Sequence, residues 1–475
     1  MTPALRVLKN STLLSFAVLL ERGLGFVLAW YVARILGPEI WGEYSTALSF
    51  VTIAVAIAPW GFLILLPRKI SRNLDHTSKL LTNASLIGGI TSILTMGLLI
   101  AVVLLLNYPA QVETLILMGI LFVVLPQTEA SIFEAAITGL EKMEWIFIAR
   151  FPLTILRVAG SLLLLALGFN IEVLFIILGI YYFCVFLIYV YFFRESLKSF
   201  RLQIDRSLMA LLVRQAIPFV IIVSLTQVFL QADRIFLSKL RDTETVGIYA
   251  TGAMLIQLVY MVAPAIMTSL FPGLSRAHRK TQEHFSKLVS QIFKLLLVGV
   301  FPLVIMIISL AGVMILLVFG DSYEPSIIVL QILALGILPS FLSRLLYRVL
   351  LASNNERLGI NVTLISNVAS LILNIVLIPR YGVIGASIAS VCTILVSFVQ
   401  NFFYVNRLIR FDFIGALWLP MVSIVLSSFL FLWLMDWSII GAGILSIILF
   451  IAVLVITQTI TRDDLALFSL KRRPN

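Results

Sequence analysis

Apolar runs of about 20 residues recur along the chain, from Asn10 to Thr461, and few folds can accommodate them. Each run is long enough to cross roughly 30 Å of hydrocarbon as a helix. Only 12% of the residues are charged and the mean hydropathy is +1.10, whereas soluble domains carry roughly 25% charged residues. No polar stretch between the runs is long enough for a soluble domain. The sequence therefore predicts an all-α polytopic membrane protein.

The apolar runs predict about fourteen transmembrane helices. We place them at 11–35, 43–66, 80–106, 114–138, 145–167, 173–193, 216–238, 246–271, 288–319, 327–352, 358–378, 383–406, 414–435 and 438–460. With the amino terminus inside, the inner segments hold 24 lysines and arginines, whereas the outer loops hold four. Basic loops stay in the cytoplasm. The bias predicts a multi-pass protein of the cytoplasmic membrane with both termini cytoplasmic, and it explains the net charge of +11 without a nucleic-acid partner.

The two halves of the chain repeat each other weakly but in register. Residues 42–59, from Gly-Glu-Tyr to Ala-Pro, match residues 247–264, from Gly-Ile-Tyr to Ala-Pro, at an offset of 205. Six predicted spans separate the copies, so both have the same membrane orientation, as in transporters built from parallel repeats. The repeat predicts two six-helix lobes, 1–203 and 204–411. An extra helix pair and a cytoplasmic tail follow in 412–475.

Prolines occupy corresponding positions in the two predicted lobes. Pro59 matches Pro264, and Pro126 matches Pro339 at an offset of 213. A broken helix is tolerated inside a membrane where it lines a cavity. We therefore expect helix breaks beside the substrate site at these four positions.

Ten of the charged residues within the predicted spans are candidates for a role inside the membrane. They are Glu21, Arg22, Glu129, Glu134, Arg150, Arg157, Asp233, Arg234, Arg344 and Arg348. Each costs about 3 kcal/mol at the bilayer centre, so ten that face lipid would cost roughly 30 kcal/mol, more than a marginally stable fold can absorb. Most of them must therefore face one another or a hydrated interior.

Arginines outnumber carboxylates in this set and predict a site for an anion. Arg150 and Arg157 are seven residues apart, and Arg344 and Arg348 are four apart, so each pair shares a helix face. Guanidinium groups bind phosphate oxygens in pairs, which makes these four and Arg22 the candidate substrate ligands. Arg150, Arg348 and Glu134 are also close enough to the inner interface to snorkel or to form ion pairs.

Energy coupling has three candidate residues in the spans. The chain has no P-loop motif, so we expect no ATP hydrolysis and no cofactor. A proton or sodium gradient is the expected energy source, with Glu21, Glu129 or Asp233 as the ion carrier. The short outer loops contain no histidine, which argues against a membrane-bound polymerase or ligase, and we expect no enzyme activity.

The start of the chain resembles a known family of transporters. Asn10 leads the first span, and Ala33-Arg34-Ile-Leu-Gly37-Pro38-Glu-Ile-Trp-Gly42-Glu-Tyr44 follows, which is similar to polysaccharide transporters of the O-antigen flippase type. These belong to the multidrug/oligosaccharidyl-lipid/polysaccharide exporter superfamily. The resemblance implies two lobes around a central cavity, a rocking alternating-access cycle, and Arg22 as a cavity arginine. It also implies that the last two helices hold a lipid tail.

The resemblance and the arginine surplus together predict the function. We expect a flippase that moves oligosaccharides linked to polyprenyl pyrophosphate across the cytoplasmic membrane for polysaccharide biosynthesis. An ion-coupled multidrug antiporter of the same superfamily is the alternative. It would favour an aromatic pocket rich in carboxylates and usually twelve spans.

Overall fold

The regular structure of the described residues is helical throughout. The computed structural model describes residues 3–198, 204–278, 281–409 and 413–457. Its α-helices are α1 (Pro3–Ile57), α2 (Phe62–Ile70), α3 (Thr77–Leu106), α4 (Ala110–Gly139), α5 (Met143–Ala166), α6 (Val173–Lys198), α7 (Arg206–Leu240), α8 (Thr243–Tyr260), α9 (Val262–His278), α10 (Gln282–Phe319), α11 (Ser326–Leu335), α12 (Ile337–Ala352), α13 (Glu356–Ile409), α14 (Phe413–Leu434) and α15 (Ile439–Ile456). The predicted all-α fold class is confirmed.

Eleven helical stretches in the described residues are long and apolar enough to cross a membrane. Two of them, Leu19–Ile70 with 52 residues and Glu356–Ile409 with 54, would each be about 80 Å long as one straight helix. Both contain a glycine in the left-handed region, Gly37 at φ 86° and Gly382 at φ 56°, a conformation that other residues rarely adopt. Each stretch is therefore broken where the sequence predicts a boundary between spans. The count of fourteen spans stays a prediction.

The four prolines that we expected to break helices differ in their surroundings. Pro59 lies in the turn between α1 and α2, and Pro264 lies in the first turn of α9, directly after α8 ends. Pro339 similarly lies in the first turn of α12, after α11. Pro126 lies inside α4, which continues through it without interruption. The prediction of a helix break at Pro126 is therefore wrong. A proline inside a membrane helix removes only one backbone hydrogen bond, and neighbouring groups can replace it.

Backbone contacts divide the chain into two compact units, Met1–Gly247 and Ile248–Asn475. In the second unit, α14 and α15 pack on each other and on α10. An apolar cluster joins these three helices through Phe301, Ile305, Phe431, Ala442, Phe450 and Leu454. The lobe boundaries drawn from the repeat, at 203 and 411, stay a prediction. The tail from 458 onward lies outside the described residues.

Candidate functional site

Arg150 is the centre of an ion cluster in the first unit. Its Nη1 lies 2.9 Å from Oε2 of Glu21 and its Nη2 lies 2.7 Å from Oε2 of Glu134. The hydroxyl of Tyr189 donates to the same Glu134 oxygen over 3.4 Å. Helices α1, α4 and α5 contribute the three charges, and two carboxylates surround one guanidinium. The guanidinium of Arg150 therefore already has two carboxylate partners within the first unit. Its role as a substrate ligand stays a prediction.

Arg157 and Arg22 have different surroundings from Arg150. The guanidinium carbon of Arg157 lies 5.0 Å from the ring centroid of Tyr181, whose hydroxyl is 3.2 Å from Oγ1 of Thr154. The Nε atom of Arg157 is buried and has no hydrogen-bond partner. Arg22 is exposed on α1. Neither arginine forms an ion pair with a carboxylate in the described part of the chain. The positive charge of each is therefore available to an anionic ligand.

Arg344 and Arg348 lie one turn apart on α12 and line a pocket of about 560 Å³ in the second unit. The lining consists of Pro264, Met267, Ser343, Arg344, Tyr347, Arg348, Leu351, Val362, Thr363, Ser397 and Asn401. The guanidinium carbon of Arg344 is 5.8 Å from the ring centroid of Tyr260, and that of Arg348 is 5.7 Å from the ring centroid of Phe271. Within the described residues no carboxylate pairs with either arginine.

A small polar network forms one wall of this pocket. Nδ2 of Asn401 donates to Oγ of Ser343 over 2.9 Å, and the Ser343 hydroxyl lies 3.1 Å from that of Ser397. Asn401 is 1% exposed, and its Oδ1 has no hydrogen-bond partner. The sequence reasoning missed these residues, although asparagine and serine at 397–401 in an apolar span were a visible signal. The pocket combines cationic groups with hydroxyl and amide groups that can bind an anion and a sugar.

The three candidates for ion coupling also differ. Glu21 is paired with Arg150, as described above. Asp233 is half-buried on α7 beside Arg234, whose Nη1 donates to Oε1 of Gln231 over 3.1 Å. Glu129 is 8% exposed on α4, and the hydroxyl of Ser85 on α3 donates to its Oε2. Glu129 is thus the candidate with the least access to water or to a counter-charge.

Sequence reasoning missed one further buried carboxylate, Glu43 in α1. It is 6% exposed, and Nε2 of Gln111 donates to its Oε2 over 2.9 Å. Gln111 lines a pocket of about 620 Å³ in the first unit, together with residues such as Phe169 and Glu172. The criterion applied to the other spans, a charged residue within an apolar run, would have found Glu43. In the described residues, acidic, histidine and cysteine side chains form no group of three that could hold a metal ion.

Two family profiles match the chain. The profile of a family described as polysaccharide biosynthesis protein matches residues 7–278, which is more than half of the chain. A profile named MatE matches residues 218–376. A comparison with curated proteins gave no significant match.

Solved structures of membrane transporters have the same fold. A lipid II flippase, MurJ, in an inward closed conformation matches with a TM-score of 0.74 at 16% identity, covering 96% of this chain and 100% of its own. An inward-facing multidrug resistance transporter of the MATE family matches with 0.63 at 12% identity, covering 82% and 94%. A transporter of the same superfamily from Pyrococcus furiosus matches with 0.58 at 13% identity, covering 86% and 95%. The polytopic transporter fold predicted from the sequence is confirmed.

Proposed function

This chain belongs to the polysaccharide biosynthesis family within the multidrug/oligosaccharidyl-lipid/polysaccharide exporter superfamily, and we propose that it is a flippase for lipid-linked oligosaccharides. Its substrate is an oligosaccharide joined to a polyprenyl carrier by a pyrophosphate. The pyrophosphate and the sugars cross the membrane through a hydrated interior, while the polyprenyl tail stays in the lipid. The chain alternates between inward-open and outward-open conformations and does not hydrolyse ATP.

The observation that supports this proposal is that Arg344 and Arg348 line the pocket of the second unit and neither forms an ion pair with a carboxylate in the described residues. A guanidinium without a carboxylate partner keeps its charge for a ligand. Nε of Arg344 donates to Oγ of Ser340 over 3.4 Å, which leaves the terminal amino groups of Arg344 for the ligand. Two such groups one helical turn apart suit the oxygens of a pyrophosphate, which they bind as forks. Asn401 and Ser343 add neutral groups for hydroxyls, as a sugar requires. A cationic drug would meet two like charges at this pocket and would be disfavoured.

The membrane location and orientation belong to the same proposal. We place the protein in the cytoplasmic membrane with both termini in the cytoplasm, because the basic residues concentrate in the segments that this orientation leaves inside. The substrate is then taken from the inner leaflet, where a pyrophosphate carrier made from cytoplasmic precursors would be loaded.

Flipping by purified protein tests the proposal directly. The protein is reconstituted in vesicles with a fluorescent polyprenyl-pyrophosphate oligosaccharide, and an impermeant quencher measures the fraction in each leaflet. Substituting Arg344→Gln or Arg348→Gln removes a charged hydrogen bond worth about 1.5–3 kcal/mol, so we expect a loss of about 10- to 100-fold in transport efficiency. Lysine at either position keeps the charge but not the fork, and an intermediate activity is expected.

Arg380→Gln is the matched control, since Arg380 is an exposed arginine of α13 in the same unit and does not line the pocket. It should flip the probe at the wild-type rate. Full activity of the glutamine variants at both 344 and 348 would remove the support for an anionic substrate at this pocket.

An ion-coupled multidrug antiporter is the second candidate function. The MatE profile over residues 218–376 and the fold shared with a multidrug resistance transporter favour it. Efflux of a cationic dye from cells that express the protein separates the two functions. Dye efflux that survives Arg344→Gln, together with no flipping of the lipid-linked probe, would favour the antiporter.

A further inference from the structure

Two of the three carboxylates on helix α4, Glu129 and Glu134, lie five residues apart in opposite surroundings. Glu134 forms an ion pair with Arg150. Glu129 is 8% exposed and accepts a hydrogen bond from the neutral hydroxyl of Ser85, while none of the ion pairs in the described residues involves it. Its membrane helix therefore buries an acid without a counter-charge.

The facing helix leaves one side of this carboxylate uncovered by side chains. α3 has Gly88 and Gly89 opposite Glu129, and a β-carbon added to either would lie 3.5 Å or 3.7 Å from its Oε1. Ser85, one turn earlier on α3, donates to the other oxygen, Oε2. One carboxyl oxygen is thus bonded, and the other faces backbone that carries no side chain.

Several charged and titratable groups on the elements that pack against α4 contact residues other than Glu129. They are Glu43, bonded to Gln111; Arg68, over the ring of Phe219; Lys79, paired with Asp205; Arg150, paired with Glu21 and Glu134; and Tyr189, bonded to Glu134. None of these contacts brings a positive charge to Glu129. An ionised carboxylate in that position would bear a desolvation penalty of several kcal/mol, which binding a proton removes.

We propose that Glu129 is the residue that binds the coupling proton of the transport cycle, an inference that rests on the flippase function proposed above. The carboxylate takes a proton from water on one side of the membrane and returns it to water on the other. A proton on Oε1 leaves Oε2 free to accept the Ser85 hydrogen bond. A metal cation requires several oxygen ligands, and the hydroxyl and carboxylate described here are too few, so the coupling ion is a proton and not sodium.

The test uses the reconstituted full-length protein under an imposed pH gradient. One pH unit corresponds to a tenfold change in the equilibrium ratio for each proton coupled, so wild-type protein should accumulate the fluorescent probe about 10-fold in one leaflet. Glu129→Gln, which resembles the protonated acid, should still equalise the probe between leaflets but should not accumulate it. Glu129→Asp should retain accumulation, and so should Glu113→Gln, a matched change in the first turn of the same helix.

A second measurement does not depend on the substrate. Infrared difference spectra of the purified protein between acidic and alkaline buffer should contain a protonated-carboxyl band that is absent from Glu129→Gln and retained in Glu113→Gln. Identical spectra for wild type and Glu129→Gln would overturn the proposal, as would accumulation by Glu129→Gln or wild-type accumulation driven by sodium alone. Absence of any flipping by wild type, with the infrared band present, would instead refute the flippase function and leave Glu129 as a proton site.

Discussion

Gly42 and Gly247 occupy corresponding positions of the internal repeat, and both allow a close backbone contact inside the first unit. A β-carbon added to Gly42 would lie 1.7 Å from the carbonyl oxygen of Thr243, and one added to Gly247 would lie 1.9 Å from that of Pro38. Small residues at helix contacts let backbones approach in this way inside membranes. We predict that Gly42→Ala destabilises the protein strongly, because the obstacle is backbone and cannot rotate away.

The size of the effect follows from the overlap. Helix α1 and the start of α8 would have to separate by roughly 1.5 Å to restore ordinary contact, and overpacking of this kind costs about 1–3 kcal/mol. We expect the upper end, about 3 kcal/mol, since no side chain can yield. For a unit of this size each kcal/mol lowers Tm by roughly 2–4 °C. Gly42→Ala should therefore lower Tm by about 6–12 °C.

Thermal unfolding in detergent, followed by tryptophan fluorescence and by the size-exclusion profile, measures this change. The control is Gly97→Ala in α3, where an added β-carbon meets nothing within 4 Å and alanine favours the helix by up to about 1 kcal/mol. Its Tm should be equal to or slightly above that of wild type. The same Tm for both variants would refute the close contact between α1 and α8.

Two other predictions concern the topology and the pH dependence. Cysteines substituted at Asp321 and Asp436 should react with an impermeant maleimide outside intact cells, and a cysteine at Ser275 should not; labelling at 275 would overturn the orientation. Hydrogen bonds from the Lys79 ammonium, the Ser207 hydroxyl and a backbone amide hold the pKa of Asp205 well below its usual value of 3.8. A carboxyl whose pKa is lowered on folding stabilises the protein above its unfolded pKa, so Asp205→Asn should lower Tm at neutral pH. This difference should shrink as the pH falls below about 4; a constant difference from neutral to acidic pH would contradict the role of the ionised carboxylate.

The sequence alone was sufficient for the class of fold and for the approximate position of most of the long apolar helices. In a bilayer every backbone amide must be bonded within its own segment, so an apolar run of sufficient length has few alternatives to a helix. The internal repeat could be detected from the sequence for the same reason, because prolines such as Pro59 and Pro264 are easily recognised within apolar helical spans. Gly37 and Gly382, where long helices break, were visible for the same reason, since each lies between two predicted spans.

Which charges face one another was decided by the tertiary structure. Glu21, Glu134 and Arg150 meet although 129 residues separate the first from the last, and no local pattern relates positions on α1, α4 and α5. The helical period predicted that Arg344 and Arg348 share a face, but the presence of Ser343, Ser397 and Asn401 beside them depends on how α12 packs against α13.

Glu129 and Glu134 show most directly why sequence cannot predict the surroundings of a buried charge. They are the same residue type on the same helix, five positions apart, and the sequence distinguishes them only by depth, since Glu134 lies nearer to the inner end of the predicted span. Their chemistry depends on the helices that pack beside each of them, because a carboxylate in a low-dielectric interior is controlled by its nearest partners. Glu134 faces a guanidinium and Glu129 faces a hydroxyl and two glycines. Sequence determines where a charge enters the membrane, and packing determines whether that charge is neutralised by a neighbouring side chain.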